Sequence, residues 1–201
     1  MSARLFPIIA LVLSNMAIAQ SSGIGIKGGI QASTAKAILV RTQPIPGGTA
    51  GLYFPCGIAP RLEIQPEVLF STLGTEWMEP DGDVATERST YIQVPLTVKY
   101  FLSNAFNLAL GYQFGKVMTA HARGTEGSSS IIDQYANMDH GFVGGVGMDF
   151  QHGLDLGLRA YSATSRFHGD SDPLYAKNRS VQVTVGYRIH QYRTSLKRRR
   201  R

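Results

Sequence analysis

The chain has 201 residues and a single cysteine, Cys56. One thiol excludes a disulfide framework and any zinc site built on several cysteines. Charged residues are scarce, at 17%, below the usual quarter of a globular chain. After the first twenty residues no apolar run is long enough to cross a bilayer as a helix. Glycine is plentiful, 22 residues, but follows no collagen period. Helical membrane proteins, zinc fingers and disulfide miniproteins are thereby set aside. With 43% hydrophobic residues, the length suits one sizeable core or one closed barrel.

The formal net charge of +6 resides mostly at the ends. With Arg4 and the six basic residues among 193–201 set aside, 13 basic residues face 14 acidic ones. The body is near neutral, which gives no electrostatic footprint for nucleic acid.

Residues 1–20 read MSARLFPIIALVLSNMAIAQ. Arg4 precedes an almost wholly apolar stretch, Leu5 to Leu13, and Ala17-Ile18-Ala19 supplies a small-residue cleavage site. This is the pattern of a secretory signal peptide, residues 1–19, cut before Gln20. An uncleaved anchor is the alternative. Cys56 lies far from the cut, against a lipoprotein.

From there the sequence alternates with period 2. Val181, Val183, Val185, Tyr187 and Ile189 share one face, opposed by Ser180, Gln182, Thr184, Gly186 and Arg188. Ile92, Val94, Leu96, Val98, Tyr100 and Leu102 repeat the pattern against Gln93, Thr97 and Lys99. The same reading predicts eight strands, near 23–34, 48–57, 61–73, 89–102, 106–119, 140–151, 154–167 and 179–189. The connections at 58–60, 103–105 and 152–153 are tight, with Pro60, Ser103-Asn104 and His152-Gly153 as turn residues. Those at 35–47, 74–88, 120–139 and 168–178 are long and polar. Tight turns join antiparallel neighbours, so the expected fold is an all-β, eight-stranded, antiparallel up-and-down barrel over 20–189. Residues 190–201 are expected to form a basic, disordered tail.

Alternation alone fits a soluble β-barrel as well. The polar face favours a membrane barrel because it is rich in glycine, which a narrow eight-strand lumen requires. The leader, the loop asymmetry and aromatics at strand ends (Phe70, Tyr100, Phe106, Phe150, Tyr187) point the same way. Pro66 and Pro95, on adjacent predicted strands, suggest a shared local break in the ladder.

The alternation turns eight charged residues inward: Lys27, Glu63, Glu67, Lys99, Asp149, Asp155, Arg159 and Arg188. Buried charges are costly unless paired, and four acids match four bases, as a self-neutralising plug requires. The strand directions place Glu63, Lys99, Asp149, Asp155 and Arg188 near the periplasmic end. Lys27, Glu67 and Arg159 fall nearer the middle, with Glu67 facing Lys27 or Arg159. An ion-conducting lumen is the alternative reading of the same residues.

Other groups are weaker candidates. His121, His140, His152, His168 and His190 form no metal-ligand spacing. His168-Gly169-Asp170-Ser171-Asp172 could serve a barrel esterase or acyltransferase, and a solvated loop is the simpler reading. Asp81-Gly82-Asp83, beside Glu76, Glu79 and Glu87, could hold Ca²⁺ or Mg²⁺ through oxygen ligands or remain a solvated acidic loop. Trp77 could anchor at a membrane interface through its amphipathic ring. The terminal Lys197-Arg198-Arg199-Arg200-Arg201 could contact anionic headgroups or an acidic partner.

Leu62-Glu63-Ile64-Gln65-Pro66-Glu67-Val68-Leu69-Phe70-Ser71 and Tyr91-Ile92-Gln93-Val94-Pro95-Leu96-Thr97-Val98-Lys99-Tyr100 carry a family resemblance. So do Ile26-Lys27-Gly28-Gly29 and Val185-Gly186-Tyr187-Arg188. Over about 23–189 the chain resembles the PorT-like, "porin family" outer-membrane β-barrel proteins of Bacteroidetes-type bacteria. The resemblance implies an outer-membrane location. The namesake's part in secretion and gliding machinery does not transfer with it. Members usually stop at an aromatic after the last strand, whereas here twelve residues follow Ile189.

The sequence therefore leads to a small outer-membrane barrel with a structural, adhesive or envelope-interaction role and no catalysis. The alternatives are a component of a secretion or envelope-assembly complex and a lipid-modifying barrel enzyme. No cofactor, metal or nucleic acid is expected. The expected partners of the monomer are membrane lipid and envelope or secretion proteins reached through 74–88, 120–139 or the tail.

Overall fold

The computed structural model describes residues 21–37, 40–78, 84–124, 127–135, 138–167 and 176–191. Residues 1–20, which hold the expected leader, and 192–201, most of the expected tail, lie outside them. Ten strands follow in order: β1 (Ser21–Lys36), β2 (Arg41–Tyr53), β3 (Cys56–Ala59), β4 (Leu62–Met78) and β5 (Val84–Phe101). Then come β6 (Phe106–Gly124), β7 (Gly127–Ser130), β8 (Asp139–Asp149), β9 (Leu154–Ala163) and β10 (Lys177–Gln191). The long strands pair as sequence neighbours, all antiparallel, and β10 pairs β1 to close the ring. The two short strands stand apart: β3 prolongs the line of β2 between β1 and β4, and β7 folds back on β6.

The predicted strand 48–57 is thus two strands. The break falls at Phe54-Pro55, where proline has no N–H for the ladder. Gly23 N–H donates to the Pro55 carbonyl at 3.0 Å and Phe54 N–H to the Pro66 carbonyl at 2.9 Å, which keeps the wall continuous. The shared proline break also exists. Pairing of β4 with β5 passes from Pro66↔Leu96 to Leu69↔Gln93, leaving out the residues opposite Val94 and Pro95.

Most differences from the sequence reading lie at the outer ends, where the predicted loops 35–47, 74–88 and 120–139 prove to be largely strand. β2 begins at Arg41, β4 runs to Met78, β5 starts at Val84 and β6 reaches Gly124. Past the apolar belt the outward residues become Thr, Glu, Arg and Lys. The hydropathy contrast fades there while the backbone ladder continues. At the opposite end β10 continues through Gln191, so His190 and Gln191 belong to the barrel and pair Ile24 and Gly23. The inner turns are short. Gly153 adopts φ +100°, a conformation that favours glycine.

The wall is apolar outside and polar inside. Ile30, Leu110 and Val183 are 72%, 68% and 52% exposed. Gln65, Gln93, Gln113 and Gln182 are fully buried within the ring. A water-soluble barrel inverts this arrangement.

Candidate functional site

The interior is stacked in layers, and all eight charged residues read from the period lie in it, in the two groups expected. In the layer nearest the chain's ends, Lys99 Nζ stands 2.9 Å from Asp149 and 3.9 Å from Glu63. Arg188 reaches across to Asp149, to Asp155 at 2.9 Å and to Glu63 at 3.7 Å. The Tyr53 hydroxyl donates to Asp155, and Asn107 Nδ2 to Asp149 at 2.9 Å. Three carboxylates therefore share two cations, with a phenol and an amide as further donors.

The middle layer reverses the balance. Glu67, with a side chain 1% exposed, accepts from Lys27 at 2.5 Å and from Arg159 at 2.8 Å. Both predicted partners are used at once. Gln65 Nε2 is a third donor, at 2.6 Å. Arg159 Nε continues to Gln182 at 2.7 Å, and Gln182 Nε2 donates to Gln31 at 2.6 Å. Gln31 in turn donates to the Thr72 carbonyl at 2.7 Å. Hydrogen bonds thus cross the lumen from β4 to β9, β10 and β1 and back to β4.

One wall beside these layers is made of small residues, Ala109, Gly145, Gly147 and Gly157. The gap they leave measures about 40 Å³. It has room for roughly three waters.

The outer layer was not read from the sequence. Leu73, Tyr91, Val117 and Ala120 form one buried cluster, and Ala35, Phe167 and Ala176 a second. Tyr135 packs against both, its ring 5.3 Å from that of Phe167. Two carboxylates sit among them. Glu87 accepts from the Trp77 indole N–H at 2.7 Å and from the Tyr135 hydroxyl. Burial, with Glu87 alongside, pushes the Tyr135 phenol above its ordinary value and keeps it a donor. Asp139 accepts from Ser165 at 2.6 Å and Asn178 at 2.9 Å. Trp77 is accordingly an interior residue, not an interface anchor. Glu87, read as part of an acidic loop, is an inward residue of β5. A parity signal existed for it: Glu87 continues the inward row Gln93, Tyr91, Ser89.

Glu79, Asp81, Asp83 and the stretch 168–172 lie outside the described residues. Among the described residues no three His, Cys, Asp or Glu are placed to hold a metal ion. His140 meets two hydroxyls at Nδ1, Tyr112 at 2.6 Å and Thr164 at 3.0 Å.

An apolar exterior, a packed polar lumen and short turns at one end define a small outer-membrane barrel. The chain belongs to the outer membrane protein beta-barrel domain family, whose model matches residues 18–168. The protein resides in the bacterial outer membrane. Among solved structures it is similar to Neisserial surface protein A, with 11% identity and a TM-score of 0.53, covering 84% of this chain and 99% of that one. It is also similar to Ail, the attachment invasion locus protein of Yersinia pestis, at 15% identity and a TM-score of 0.49, covering 84% and 98%. OprG from Pseudomonas aeruginosa follows at 11% and 0.49, covering 84% and 96%. At these identities the likeness is one of fold. No curated protein matches the sequence.

Proposed function

We propose that this barrel is a non-catalytic scaffold in the outer membrane, acting through its surfaces in adhesion or envelope contact. The observation that carries this reading is the lumen. Among the described residues, ion pairs, glutamines and an aromatic cluster fill it in successive layers, which argues against a path for solutes. Work must then be done where the molecule meets lipid, the exterior or the periplasm. The test compares bacteria carrying the intact protein with bacteria carrying a barrel whose 79–83, 125–126 and 168–175 segments are replaced by Gly-Ser. Loss of attachment to surfaces or neighbouring cells, with the barrel still inserted, supports the reading. Solute flux through vesicles holding the purified protein overturns it.

The second reading is a component of a secretion or envelope-assembly complex. The basic run 197–201 favours it, because it offers charge to an acidic partner. Co-purification of a fixed set of envelope proteins from mild-detergent extracts, lost when 192–201 are deleted, decides for this second reading.

A further inference from the structure

The outward rows of the wall end alike on several strands. On β10, Tyr187, Val185, Val183 and Val181 lead to Arg179 and then Lys177. On β1, Ile24, Ile26, Ile30, Ala32 and Thr34 lead to Lys36. Leu108, Leu110, Tyr112 and Phe114 on β6 lead to Lys116, and the row of β5 carries Arg88 before Thr86 and Val84. Cations thus recur towards the outer ends of these rows, and three of them gather where the ring closes. There Lys36 lies directly opposite Lys177, and Arg179 lies opposite Thr34, on the same outward face. Ser162 of β9, paired with Arg179, adds an exposed hydroxyl beside them.

This arrangement is costly if left alone. Like charges directly opposite in a sheet repel and destabilise the pair. None of the three cations has a carboxylate partner among the described residues. Charges of one sign at that depth face the headgroup layer, where long basic side chains extend from the apolar surface. A phosphate monoester brings about −1.5 to −2 charges and three acceptor oxygens, enough to bridge two lysines and an arginine.

We propose that Lys36, Lys177 and Arg179 form a binding site for a phosphorylated lipid headgroup of the outer leaflet, seated on the β1–β10 seam. The phosphate offsets the repulsion, and the acyl chains lie along the isoleucine and valine rows beneath.

The test uses the full chain in nanodiscs of neutral phospholipid. These are doped with lipid A as the phosphorylated glycolipid or with the same glycolipid after phosphatase treatment. Lipid retained per protein is read by mass spectrometry and stability by thermal unfolding. Wild-type protein should retain the phosphorylated form preferentially. The triple variant Lys36→Gln, Lys177→Gln, Arg179→Gln should bind it roughly a hundredfold more weakly, at about 1 kcal/mol per basic residue near a charged surface and tenfold per ~1.4 kcal/mol. Arg61→Gln, in the turn at the other end, should bind as wild type. A sign reversal gives a second readout. In uncharged detergent the triple variant should melt higher than wild type, because repulsion is removed, and with phosphorylated lipid it should melt lower. Equal retention of both lipids, or unchanged affinity in the triple variant, overturns the proposal. If inorganic phosphate alone raises the wild-type melting point as much as the lipid does, the site takes a free anion and the lipid assignment fails.

Discussion

Tyr53 lays its ring across Gly25, so closely that a Cβ on Gly25 would collide with the ring carbons. Gly186, on β10, is the other floor of the slot, at 3.2 Å for an added Cβ. An aromatic ring fits flat against the wall only where two adjacent strands carry no side chain there. Its hydroxyl then reaches Asp155. Gly25→Ala should displace the ring and cost about 1–3 kcal/mol, the usual scale of overpacking. Urea unfolding from lipid vesicles measures it. A loss equal to that of Gly48→Ala, where an added Cβ meets only a carbonyl at 3.8 Å, would show that the slot is immaterial.

Glu67 serves two cations, and that asymmetry is measurable. Glu67→Gln leaves Lys27 and Arg159 buried without a counter-charge and should cost about 3–5 kcal/mol. Lys27→Met should cost less, because Arg159 still neutralises the carboxylate. Double-mutant cycles should give coupling of Glu67 to both bases. Coupling to neither would mean that the layer is not held by these pairs.

The orientation of the wall predicts opposite tolerances on its two faces. Val183→Arg or Leu96→Arg places a charge against lipid and should cost roughly 2–4 kcal/mol near mid-bilayer. Thr184→Ser and Thr97→Ser, on the buried side, should be almost silent. Folding yields into vesicles at graded urea check both. Equal tolerance of arginine on the two faces would contradict a membrane wall.

The end of β10 sets where truncation begins to matter. Removing 192–201 should leave the heat-dependent gel migration of a closed barrel unchanged. Removing 187–201 takes away the partners of Gly23, Ile24, Gly25 and Ile26 and should abolish it. Identical behaviour of the two truncations would place the seam elsewhere.

The strand order, the direction of the apolar face and the eight interior charges were all legible in the sequence. A two-residue period assigns sides once the strand is located. Lys27, Glu67 and Arg159 could even be grouped by depth, because strand direction sets height. The outer layer was hidden for a physical reason. Near Trp77 and Glu87 both faces of the strand are polar or mixed, so no contrast marks the ladder. Tyr135 comes from an irregular connection, where no period points inward. The Phe54-Pro55 break was obscured because β3 continues the alignment of β2, so the alternation runs through it almost undisturbed.

The β1–β10 seam joins the two ends of the domain, and Gln31 bonds Gln182 across 151 residues of sequence. A contact of that span closes a loop over most of the barrel, and loop closure of this kind slows folding more than it weakens the product. Until it forms, the half-made sheet carries two raw edges, each able to capture another chain. Lysines on an edge discourage such capture. The opposed Lys36 and Lys177 can then act as a kinetic guard, repelling foreign strands during assembly at the site where the finished protein meets its lipid.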